Sequence, residues 1–232
     1  MGCITMELDK FPGLQKEKLA KRDEEKRQFY ETLFMMSVLV ATVFLFPKFL
    51  GIVSILPFLY FFIENRVRKH SNLLVIFKFK GLLQDLQSTW VAFLTVAFLL
   101  QAFYFYVFKN FSPELLSHVK ERTSFIASFN IGLVLTLLVL ALVEEVVFRG
   151  LFQKRINLKL SPLYSILITS IVFAALHISD GTPFVVMIDL ATVFIDSVFY
   201  GYLFYKTNSV YVAWLAHALA NITAAFLLIH FI

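Results

Sequence analysis

The sequence predicts an all-α fold: a polytopic membrane helix bundle of seven to eight transmembrane helices around a polar cavity. Three observations predict it. Seven apolar runs follow one another, at roughly 30–46, 49–63, 89–108, 126–148, 161–178, 184–205 and 209–231. Charged residues make up only 16% of the 232-residue chain, against about 25% in ordinary soluble domains; mean hydropathy is +0.77. Finally, the few ionisable groups within the runs recur at helical spacing. Such groups are costly in a bilayer and face the bundle interior.

Residues 1–29 form a polar, charge-mixed segment, read as cytosolic and suited to an amphipathic helix at the membrane surface. The remainder, 30–232, is read as one transmembrane domain. The first two apolar runs are short and are separated by "PKFLG". They suit a tight hairpin or one broken element, because a span takes about 20 residues. Of the 21 Lys and Arg residues, 17 fall before the first run, in 64–88, in 149–160 and at Lys206. The other four, Lys48, Lys109, Lys120 and Arg122, fall in the alternate breaks. This asymmetry predicts a cytosolic N-terminus and an odd number of spans in a plasma (inner) membrane. The basic residues are thereby read as topology signals, not as a nucleic-acid surface. The one cysteine, Cys3, permits no internal disulfide. The start "MGCITM" departs from the myristoylation pattern at Met6.

The fourth run ends in "ALVEEVVFRG". Glu145 and Arg149 are four residues apart on one helix face, acid before base, which is the favourable order for a pair. Glu144 points about 100° away and has no such partner on its own helix. The pair therefore reads as structural, and Glu144 as free to act. Phe173 and His177 in the fifth run, and His217 and Asn221 in the seventh, repeat the spacing of four. His217 and Asn221 can direct donors towards one point. If the fourth and fifth runs form a hairpin, Glu144 and His177 lie equally far from a turn at "NLKLSPL". The fourth helix is then expected to continue to about residue 156. Asp189 and Asp196 share a face of the sixth run. They are read as lining a water-filled cavity or as pairing with donors elsewhere.

These three motifs, Glu-Glu-x-x-x-Arg, Phe-x-x-x-His and His-x-x-x-Asn, resemble those of the CPBP (Abi) family of intramembrane proteases. That family includes the glutamic-type CAAX prenyl endopeptidases. The resemblance covers roughly residues 85–230. It implies a helical bundle enclosing a conical cavity, with one helix more than the seven runs. It implies that Glu144 and His177 activate a water, that His217 and Asn221 stabilise the oxyanion, and that Glu145 and Arg149 fill the remaining motif positions. The expected partners are the lipid bilayer and a membrane-associated peptide or protein substrate, with no cofactor.

The residue chemistry agrees. A desolvated carboxylate gains basicity towards water, and amide or imidazole donors suit an oxyanion. A zinc site remains the alternative, with Glu144, His177 and His217 as ligands and water in the open position. Two non-enzymatic readings also stand. One is a scaffold or bacteriocin-immunity protein of the same fold, which would have no need of an unpaired Glu144. The other is a transporter, which would show two symmetric halves; no internal repeat is seen.

Overall fold

The computed structural model describes residues 12–67 and 75–231, and "MGCITM" with Cys3 lies outside them. Among the described residues every regular element is helical. Helix α1 is Pro12–Leu45 and α2 is Leu50–Val67. Helix α3 is Leu82–Phe111, and the short α4 is Pro113–Arg122. Then follow α5, Ile131–Ile156, and α6, Pro162–Ala175. Helices α7, Pro183–Thr207, and α8, Val210–Phe231, complete the bundle.

Six of these helices are long and apolar enough to cross a membrane; α6, with 14 residues, is shorter. These seven elements correspond to the seven apolar runs. The further helix, α4, is polar along one side and contains no apolar run. It starts at Pro113, whose fixed φ suits a first helical position and whose missing N–H costs nothing there. The same device starts α6 at Pro162 and α7 at Pro183. Asn208 ends α7 in the left-handed region, at φ 47°, a conformation that Asn tolerates better than most residues.

Helix α1 runs unbroken through position 29/30, so the polar segment and the first apolar run share one helix. Its polar half is laced by Arg27 with Glu24 and Glu31. Three contacts then gather one end of the bundle. Glu25 pairs with Lys159 at 3.1 Å, Glu31 accepts from Tyr60 at 2.6 Å, and Arg155 pairs with the buried Glu64. The polar half of α1, the end of α2 and the end of α5 therefore lie together. At the opposite ends of their helices, Lys109 donates to the Phe231 carbonyl at 2.6 Å. This grouping agrees with the charge asymmetry of the loops. The exterior carries large apolar side chains such as Phe34, Leu83 and Ile131, as a lipid-facing surface requires.

Helix α5 is the centre of the bundle. Asn130 caps it, its side chain accepting from Leu133 N at 2.9 Å. The helix continues past Arg149 to Ile156, as the hairpin argument expects. Its hydrogen bonding is not uniform, however: Val146–Gln153 is π-helical, and all eight of its residues are buried. Single-turn π segments often mark functional sites; this one starts directly after Glu145. Neighbours close tightly on it. Gln153 donates to the Gly201 carbonyl of α7 at 2.8 Å, and Trp214 of α8 donates to the Leu138 carbonyl at 2.7 Å. Phe148, Phe152, Phe173 and Leu203 fill the core around it.

At Gly201 α7 packs closely against α5. A Cβ there would stand 2.9 Å from Gln153 Oε1 and 3.0 Å from Ile166 Cγ2. Gln153 cannot yield without losing its bond to the Gly201 carbonyl. Gly201→Leu should therefore destabilise the bundle by about 1–3 kcal/mol, the usual cost of overpacking. Thermal unfolding of purified protein in detergent measures it, and an unchanged melting temperature would contradict the packing described.

Candidate active site

Two adjacent glutamates occupy opposite environments. The Glu145 side chain is fully buried, whereas that of Glu144 keeps 35% of its surface exposed. Consecutive positions on a helix point about 100° apart, so one faces the packed interior and the other a cavity. Glu145 is held from two sides. Arg149 Nε donates to its Oε2 at 3.0 Å, and His217 Nδ1 donates to its Oε1 at 2.9 Å. Arg149, also fully buried, reaches on to Ser197 Oγ at 2.8 Å and lies 5.7 Å from the centre of the Phe173 ring. One buried ionic chain thus joins α5, α7 and α8.

That chain fixes His217. With Nδ1 committed to Glu145, the other ring nitrogen turns towards Glu144: Nε2 lies 3.6 Å from Glu144 Oε2. Tyr200 stacks on the same imidazole, at 4.6 Å between centres and 15° between planes. Phe173 meets its edge at 5.8 Å. His177 is oriented separately. Its Nδ1 lies 2.8 Å from the Phe173 carbonyl. A carbonyl can only accept, so Nδ1 carries the proton and Nε2 is left for other work. The Phe-x-x-x-His spacing is thereby explained: one turn of α6 supplies both the aromatic wall and the carbonyl that sets the tautomer.

Glu144, His177, His217 and Asn221 all line one cavity of about 460 Å³. This falls within the range of about 300–1,000 Å³ usual for ligand sites. They come from α5, the turn that follows α6, and α8. Asn221 makes no hydrogen bond among the described residues, so its amide is available to a ligand. Asp189 and Asp196 line the cavity as well, and both have found donors. Arg122 of α4 reaches Asp189 through Nε at 2.7 Å and Nη2 at 3.0 Å, with His118 at 3.5 Å. Gln101 of α3 donates to Asp196 at 2.8 Å, and Tyr104 at 3.4 Å.

The structure thus brings the four residues read as chemical into one cavity and buries the two read as structural beneath them. It alters the expectation in one respect. Glu144 lacks a partner on its own helix but has a neighbour across the bundle, and His217 is tied to Glu145. Among the described residues, no three His, Cys, Asp or Glu side chains form a group suited to hold a metal ion. Sequence reasoning missed Tyr200, Ser197, Gln101, Tyr104, His118 and Arg122. Ser197 and Tyr200 follow Asp196 by one and four positions, so a helical projection of α7 carried a signal for Tyr200. Nothing local marked the others.

A model of the family described as Rce1-like, Type II CAAX prenyl endopeptidase, matches residues 126–223. Over that stretch the chain is similar to the Type II CAAX prenyl endopeptidases. The match runs from just before α5 into α8 and contains every motif residue named above. It supports a protease at the level of the family, in a multi-pass membrane protein with a membrane-associated substrate. No curated protein and no solved structure matches the chain.

Arg149→Ala removes the cation from a fully buried pair and leaves Glu145 uncompensated apart from His217. Breaking such a pair typically costs about 3–5 kcal/mol. The variant should unfold at distinctly lower temperature or denaturant than the wild type. Wild-type stability would contradict the structural role and move Arg149 into the chemistry.

Proposed function

We propose that the chain is an intramembrane endopeptidase that hydrolyses a peptide bond of a membrane-associated peptide or protein. The observation that carries this reading is the convergence on one cavity of a partly exposed carboxylate, two imidazoles and a primary amide from two helices and the turn after α6. The family match to CAAX prenyl endopeptidases makes a prenylated C-terminal peptide the first substrate to test.

In this mechanism Glu144 and His177 hold the attacking water. As its oxygen bonds to the scissile carbonyl carbon, its proton passes to Glu144. His177, with Nδ1–H held by the Phe173 carbonyl, relays a proton through Nε2 to the leaving nitrogen as the C–N bond breaks. One water thus supplies hydroxyl to the acyl product and hydrogen to the amine. His217 Nε2 and the Asn221 amide donate to the developing oxyanion. Donation from Nε2 while Nδ1–H serves Glu145 requires the doubly protonated ring. Glu144, Glu145, Arg149 and His217 then sum to no net charge, which suits a site within a bilayer. Donors fixed before the reaction avoid reorganisation at its height, and losing one typically costs about 10²–10³ in rate.

The reading is metal-free. His217 has a second role beside Glu145 and Tyr200 that accounts for its placement, and its neighbour Asn221 is a natural second oxyanion donor. The test uses protein purified in detergent and a farnesylated peptide, with products identified by mass spectrometry. Glu144→Gln should leave folding intact and reduce cleavage at least about 10³-fold, since it removes the base at the reacting water. Substantial turnover by folded Glu144→Gln would sink the assignment. In the same assay, prolonged chelation should leave wild-type cleavage unchanged. Loss of activity, restored by one zinc per chain, would instead make Glu144, His177 and His217 ligands.

A further inference from the structure

Asp196 differs from Asp189 and Glu145, each of which pairs with an arginine. Asp189 pairs with Arg122 and has His118 3.5 Å away. Glu145 is neutralised by Arg149 and also holds His217. Asp196 has no Lys or Arg partner among the described residues. Its donors are neutral: Gln101 Nε2 at 2.8 Å on Oδ2 and the more distant Tyr104 hydroxyl at 3.4 Å on Oδ1. A carboxylate offers about four lone-pair sites, so acceptor capacity remains, on a residue that lines the cavity. Both donors come from α3 and line the cavity beside it.

Its distance from the chemistry is set by α7. Tyr200 lies one turn beyond Asp196, about 6 Å along the helix, and stacks on His217. An extended peptide advances about 3.4 Å per residue. A group held at Asp196 therefore belongs to a residue near the scissile bond. The charges lining the cavity point to its sign. The acids are Glu144, Asp189 and Asp196; against them stand Arg122, already held by Asp189, and His217, already placed between Glu144 and Glu145.

We propose that Asp196, held by Gln101 and Tyr104, forms a specificity subsite that takes a cationic side chain of the substrate next to the scissile bond. The proposal rests on the endopeptidase reading for its location but concerns binding, and binding can be measured without turnover. A substrate ammonium or guanidinium completes the hydrogen bonding of the carboxylate and neutralises it. In a cavity of low dielectric, such a charge-assisted contact is stronger than its counterpart in water.

The probes are fluorescent farnesylated peptides with a Cys-aliphatic-aliphatic-X tail. They carry either Lys or its neutral isostere norleucine at each position within three of the cysteine. Binding is read by anisotropy on the Glu144→Gln protein in nanodiscs. At one position Lys should bind at least about tenfold more tightly than norleucine. Adding Asp196→Asn should bring that ratio to near one. Adding Asp196→Glu, which keeps the charge but lengthens the arm, should shift the preference from lysine to the shorter ornithine. Equal binding of the two peptides at every position, no binding of either, or a lysine preference that persists in both Asp196 variants overturns the proposal. Failure of the endopeptidase reading shows itself differently, as the absence of cleavage by the wild-type protein of a peptide that binds.

Discussion

The bidentate use of one buried carboxylate, Glu145, organises everything around the cavity. One of its oxygens holds Arg149 and the other holds His217. In a medium of low dielectric an isolated ion is prohibitively costly, so each of these groups is where it is because the others are there. Through Arg149 and Ser197 the chain reaches α7; through His217 it reaches α8. Helix α5, α7 and α8 cannot slide past one another without exposing an uncompensated charge. The hydrophobic effect offers no comparable constraint inside a bilayer, because lipid tails are as apolar as the side chains they would replace.

That constraint divides the labour between two neighbouring glutamates. Chemically Glu144 and Glu145 are identical. Their helical phase sends one into the ionic chain and the other to the cavity wall, where it faces His217 across 3.6 Å. The aromatic residues complete the arrangement by volume and orientation rather than by charge. Tyr200 and Phe173 bracket the His217 ring on its face and edge, and Phe173 lends its carbonyl to His177. A cavity with a polar wall and otherwise apolar lining can desolvate a peptide bond while keeping donors and acceptors fixed.

Much of this was legible in the sequence because helix geometry is local. Apolar runs marked the membrane helices, and spacing of four paired Glu145 with Arg149. The turn at Ser161–Pro162 set Glu144 level with His177. The continuation of α5 to Ile156 followed from the same argument. What was not legible depends on neighbours far along the chain. The spacing of His217 and Asn221 suggested two free donors, but the tie from His217 to Glu145 crosses 72 positions. The donors to Asp189 and Asp196 come from α3 and α4, which carry no motif. The π-helical stretch at Val146–Gln153 is a matter of backbone hydrogen bonding, which side-chain spacing does not reveal. Helix α4 leaves no trace among the apolar runs because it is polar.

The account stands or falls on whether Glu145 and His217 act as a coupled unit. The direct measurement is a double-mutant cycle on unfolding free energy in detergent, with Glu145→Gln, His217→Gln and the double variant. Residues in one buried network typically depart from additivity by about 0.5–3 kcal/mol. The account predicts a coupling of at least about 1 kcal/mol, in the upper part of that range because the pair is charged and fully desolvated. Effects that add within about 0.3 kcal/mol would mean that His217 is held by its aromatic neighbours alone and that the ionic chain does not organise the site.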